Sequence, residues 1–108
     1  MAHYLHLVSY TSTAWAAQIQ NPQNRVEVVK SLIEGQGGKV ESAYMAFGEH
    51  DIVLLTEFPD NVSAATVAIT AAAGGAISHI QTIPLLTIEE GMEALKRAGG
   101  AEYTPPGG

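Results

Sequence analysis

The chain has no cysteine among its 108 residues, which excludes disulfides, cysteine-ligated zinc, iron–sulfur clusters and thiol nucleophiles. Nothing demands an oxidising compartment. Positive charge is also scarce: five Lys and Arg stand against eleven Asp and Glu, for a formal net charge of −6. The cations Arg25, Lys30, Lys39, Lys96 and Arg97 form no compact stripe for phosphates, so nucleic acid is not an expected partner. No run approaches the roughly 18 apolar residues of a membrane span, and Met1-Ala2-His3-Tyr4 lacks the basic and apolar regions of a leader. A cytoplasmic protein without a membrane partner is expected. Charged residues of either sign reach only 15% of the chain, while apolar ones reach 46%. That is little charge for a small domain solvating its whole surface, so part of the surface is expected to be covered by another subunit.

The length suits one domain with a real core. We place it at residues 1–98, with 99–108, ending in "AEYTPPGG", as a flexible tail. His3 to Tyr10 ("HYLHLVSY") reads as a strand. From Ser12 the pattern turns helical, with Trp15, Gln18 and Ile19 on one stripe. Asn21-Pro22 interrupts it, and a second segment places Val26, Val29, Leu32 and Ile33 at helical spacing before the Gly35 and Gly37-Gly38 stop. Lys39 to Phe47 and Ile52 to Phe58 read as two strands joined by Gly48-Glu49-His50-Asp51, a short hairpin connection. Pro59-Asp60-Asn61 supplies helix-start chemistry, and Val62, Ala65, Ile69 and Ala72 follow at helical steps as far as Gly74-Gly75. Ile77 to Leu86 is a fourth strand, whose Pro84 belongs at an edge or bulge. Thr87-Ile88-Glu89-Glu90 resembles a capping box, opening a last helix that ends by Gly99-Gly100.

The order strand, helix, strand, strand, helix, strand is that of the split βαβ or ferredoxin-like α+β fold, a four-stranded antiparallel sheet with helices on one face, here with a C-terminal helix added. Such a sheet has one uncovered face. Because Ile52-Val53-Leu54-Leu55 is apolar on both sides, that face needs a lid, most simply a second copy of the chain.

Several short pieces, in order, resemble the GYD-domain family within the dimeric α+β barrel superfamily. They are "Y-L-x-L-x-x-Y-T" at Tyr4 to Thr11, Arg25, "GGK" at Gly37 to Lys39, "Y-x-x-x-G-E-x-D" at Tyr44 to Asp51 and "E-F-P-D" at Glu57 to Asp60. The family's name reflects a Gly-x-Tyr-Asp turn, in which His50 stands here at the aromatic slot. The resemblance implies the fold and a homodimer or higher oligomer. It implies no activity, since related barrel families include cofactor-independent monooxygenases, haem-handling enzymes, isomerases and simple binding proteins.

If Leu5 and Leu7 face the helices, alternation sends Tyr4, His6, Val8 and Tyr10 to the open face, where Val53, Leu55, Glu57, His79, Gln81 and Ile83 join them. His6, Tyr10 and His79 are then the candidate catalytic residues, and Tyr44, His50, Asp51, Glu57 and Gln81 the candidate ligand contacts. An apolar cavity with a few convergent polar groups is the usual form of a small-molecule site. The same side chains also suit a hydrogen-bonded dimer interface. In the Gly48–Asp51 turn, Gly48 suits positive φ and Asp51 suits bonding of turn amides; the sharper alternative has His50, oriented by Asp51, shuttling protons. Arg25 pairs with a carboxylate such as Glu57 or Glu49, or else meets an anionic ligand. His6, Glu57 and His79 have the chemistry of a metal triad, but they come from three strands without a local ligand motif, and no metal, haem or other cofactor is expected.

The function expected is therefore binding, and cofactor-independent turnover if there is any, of a small, partly apolar molecule in a homo-oligomer. The alternative is a structural or regulatory assembly protein whose open face is consumed by its partner.

Overall fold

The first strand carries two candidate core faces, and its polar groups choose between them. In β1 (Ala2–Tyr10) Tyr4, His6 and Val8 are buried while Leu5 and Leu7 are half-exposed, the reverse of the expected phase. Hydrophobicity alone leaves the choice nearly balanced. Satisfaction of polar atoms decides it: the Tyr4 hydroxyl donates to Asn61, and both His6 ring nitrogens meet threonine hydroxyls, partners present only on the buried side.

This computed structural model describes residues 1–107, so Gly108, the end of the expected tail, lies outside the described residues. After β1 come α1 (Ser12–Gln20), α2 (Arg25–Gly35), β2 (Lys39–Met45), β3 (Ile52–Phe58), α3 (Asn61–Ala73), β4 (Ile77–Leu85) and α4 (Ile88–Gly99). The strands form one sheet in the order β2-β3-β1-β4, every neighbouring pair antiparallel. This is the ferredoxin-like α+β architecture the element order implied. Pro84 lies on the edge strand β4, where its missing N–H costs no ladder bond.

On β3 the buried side chains are Ile52, Leu54, Thr56 and Phe58, and Val53, Leu55 and Glu57 point to the other face. The first set packs with Ile33 of α2 and with Ala64 and Val67 of α3. The apolar stripe of α2 is as expected, Ile33 being fully buried and Val26, Val29 and Leu32 packed around it. In α3 the inward residues are instead Ala64, Val67, Ala68 and Ala71, while Val62 and Ile69 are exposed. The inward stripe of α3 is therefore made mostly of small side chains, and the bulkier Val62 and Ile69 turn outward.

The helix ends follow local chemistry. Asn24 and Asp60 cap α2 and α3 by accepting from Val26 and Ser63. Gly37 takes φ +78° after α2 and Gly75 φ +80° after α3. Gly38 has another role, since a Cβ there would stand 2.6 Å from Phe58 Cε1.

The last helix stands apart. In α4 every residue except Gly91 is exposed, including Ile88, Met92 and Leu95 on one stripe. Thr87 and Glu90 form the reciprocal capping box, acids fill the first turn, and Lys96 and Arg97 occupy the last. No helix among the described residues is long and apolar enough to cross a membrane.

Candidate functional site

Because alanines line the inner side of α3, the space between α2, α3 and the sheet is not filled. A cavity of about 280 Å³ remains there, walled by apolar residues such as Leu32, Leu54, Val67 and Ile80. Four polar side chains also line it: His6, Tyr10, Arg25 and Thr70.

His6 is only 3% exposed. Its Nε2 lies 2.7 Å from Thr56 Oγ1 and its Nδ1 3.2 Å from Thr82 Oγ1, so neither nitrogen is free toward the cavity. Burial lowers its pKa to about 4, which keeps the ring neutral at neutral pH. Tyr10 is half-buried, and burial raises its pKa; the Arg25 guanidinium opposes that rise and the Asp51 carboxylate adds to it. Its ring meets Trp15 edge-on with centroids 5.3 Å apart. Arg25, at the start of α2, has no carboxylate within 4.0 Å among the described residues. The expected pairing with Glu57 or Glu49 is absent, since Glu57 lies on the opposite side of the sheet.

The proposed convergence of His6, Tyr10, Glu57 and His79 therefore does not form. His6 and Tyr10 line the cavity under the helices, whereas Glu57 and His79 are on the open face. There Glu57 pairs with His3 and His79 with Ser9, positions separated along β1 by roughly 20 Å at about 3.3 Å per residue. No triad of His6, Glu57 and His79 can close on a metal. Gln81 and Tyr44, also on the open face, pair with Leu7 and Val53 and are exposed. Sequence reasoning missed Thr56 and Thr82, although polar residues in the same strand phase as His6 were a readable signal.

The open face itself is an apolar patch between two polar ends. Leu5, Leu7, Val53, Leu55 and Ile83 form its centre, half-exposed in the single chain. At one end His3 faces Glu41 and Glu57. At the other, the rings of His50 and His79 stack with centroids 6.1 Å apart.

A family model described as "GYD domain" matches residues 4–95. The chain belongs to the GYD domain family. Among solved structures it is similar to the crystal structure of FFRP-DM1, with 17% identity, a TM-score of 0.53, and coverage of 80% of this chain and 100% of that one. It is similar also to a hypothetical protein, PHS023, from Pyrococcus horikoshii, with 14% identity, a TM-score of 0.51, and coverage of 81% and 92%. At such identities the likeness concerns the fold alone. No curated protein matches the chain in sequence.

In this GYD domain the Gly48–Asp51 turn holds β1 and β3 together. The Asp51 carboxylate accepts from the Tyr10 backbone N–H at 2.8 Å, and its own N–H donates to the Val8 carbonyl at 2.8 Å. The first bond sits where the β1–β4 register shifts between Ser9 and Tyr10, so Asp51 satisfies an amide at an irregularity in the ladder. Asp51 thus serves the backbone and does not orient His50, whose Nδ1 instead lies 3.5 Å from Ser9 Oγ. Gly48 does not have the expected positive φ, and among the described residues nothing lies within 4 Å of where its Cβ would be.

Proposed function

We propose that this GYD domain binds a small molecule with an apolar body and one anionic end in the cavity between its helices and its sheet. The observation that carries the reading is the half-buried Arg25 guanidinium, without a carboxylate partner among the described residues, at a largely apolar cavity of about 280 Å³. A partly desolvated guanidinium favours a bidentate anionic partner. The neutral Tyr10 hydroxyl supplies a second donor. Binding is favoured over acid–base turnover because both nitrogens of His6 are already engaged.

The test uses Trp15, the only tryptophan, which packs against Tyr10. Small aryl and alkyl carboxylates are titrated while its fluorescence is followed. Saturable change with a carboxylate but not with the matching amide, lost in Arg25→Gln, supports the proposal. Equal response to acid and amide, or none across the series, overturns it.

A second reading concerns assembly, and the uncovered patch of Leu5, Leu7, Val53, Leu55 and Ile83 favours it. Pairing of this face with that of a second copy buries it. Leu55→Glu then leaves an unpaired charge in the interface and dissociates the assembly. Sedimentation showing a folded wild-type monomer at micromolar concentration sinks this part.

A further inference from the structure

Three strands deliver metal-binding side chains to one end of the open face. Lys39 pairs with Glu57 and Glu57 with His3, forming a transverse row across β2, β3 and β1. Glu41 joins that row because the β2–β3 register shifts between Val40 and Ser42, leaving it as the extra residue of a bulge. Bulges commonly re-aim a side chain in this way. His3 Nδ1 lies 3.3 Å from a Glu41 oxygen and His3 Nε2 lies 3.8 Å from a Glu57 oxygen. One donor atom from each of the three residues lies within 4.8 Å of the other two.

We propose that His3, Glu41 and Glu57 form a binding site for a first-row divalent cation of the zinc type. Bonds of about 2.0–2.2 Å to zinc set donors roughly 3.5 Å apart in a tetrahedral site; the two carboxylates here approach opposite ring nitrogens of His3, so closure on one ion takes a swing of one glutamate to the nitrogen that the other already faces. One imidazole nitrogen and two carboxylate oxygens are the borderline N/O donors that zinc accepts, and the fourth position falls to water. His3 and Glu57 are partly shielded, at 28% and 21% exposed, and Glu41 at the bulge is the most open, at 34%.

Charge balance points the same way. Two carboxylates face one ammonium, that of Lys39, 3.9 Å from Glu57. Beside an apolar patch that favours burial, an uncompensated carboxylate is costly. Lys39 is 69% exposed and is free to turn to solvent when a cation arrives.

The experiment is calorimetric titration of zinc into the full, untagged chain after treatment with EDTA, beside Glu41→Gln, His3→Gln and, as a control, His79→Gln. The site predicts one zinc per chain with a micromolar or lower Kd. It is weakened at least tenfold by Glu41→Gln and by His3→Gln, and unchanged by His79→Gln. Glu41 is exposed at the bulge, so Glu41→Gln keeps the fold, and matching circular dichroism and metal-free melting curves check this. Absence of saturable zinc binding to the wild type overturns the proposal. So does binding that survives Glu41→Gln and His3→Gln, or that is lost in His79→Gln, which would place the ion with the stacked histidines at the far end.

Discussion

Acid is expected to destabilise this domain through one residue, His6. The unfolded chain takes up a proton at a histidine near pH 6.5, whereas in the folded domain burial holds the pKa at about 4. Between those values the unfolded state binds more protons, so stability falls as pH falls through the window and recovers above it. Working the linkage for that pair of pKa values gives a loss of about 2 kcal/mol between pH 7 and pH 5, and about 3 kcal/mol by pH 4. Asp60 and Glu90 are exposed carboxylates held below their ordinary range by bonds involving Ser63 and Thr87. Their stabilising effect disappears only at more acid pH than the window in which His6 acts. The perturbation is His6→Gln, which retains hydrogen-bonding atoms for Thr56 and Thr82 but does not titrate. Urea unfolding at pH 7, 6 and 5 should show a steep stability loss in the wild type and a nearly flat profile in the variant, whatever its offset at pH 7. Parallel profiles would refute the assignment of a neutral, buried imidazole.

Gly38→Ala brings a Cβ to 2.6 Å from Phe58 Cε1 and 2.9 Å from the Glu57 carbonyl oxygen, and should cost about 1–3 kcal/mol or prevent folding. Gly48→Ala, with open space and no positive φ, should stay within about 0.5 kcal/mol; the two thermal melts side by side check both. Asp51→Ala strands the Tyr10 amide whose bond to the carboxylate measures 2.8 Å, and should cost about 1.5–3 kcal/mol by chemical denaturation. Hydrogen exchange at the Tyr10 amide should accelerate in the same variant.

The strands, the order of elements and the caps of α3 and α4 could be read from the sequence because each is set by local chemistry. Asp60 caps α3 and Thr87 with Glu90 boxes the start of α4 regardless of what they pack against. The face of β1 could not be read in this way. Tyr4, His6 and Val8 compete with Leu5 and Leu7 on nearly equal apolar terms, and the tie is broken by Asn61, Thr56 and Thr82, partners far away in the chain. Once β1 is turned over, the candidate site divides: His6 and Tyr10 go to the cavity, Glu57 and His79 to the open face. Phase also misled the reading of α3, where Val62 and Ile69 follow helical spacing as well as Val67 does. A stripe of alanine is a weak hydrophobic signal even when it faces the core. Glu41 drew no notice because a bulge depends on the pairing partner and not on the strand's own residues.

The helix α4 has a consequence for how the molecule opens. Isolated helices shorter than about 12–15 residues are marginal in water, and α4 has 12 residues with almost no shielding from the body. Its capping box and its charges at both ends supply local stability, and they are nearly all that it has. Its amides are therefore expected to exchange with solvent through fraying that leaves the sheet intact, as a separate unit in the hierarchy of partial unfolding. Any surface that engages Ile88, Met92 and Leu95 couples this unit to the rest, so slower exchange confined to α4 is a direct reporter of engagement.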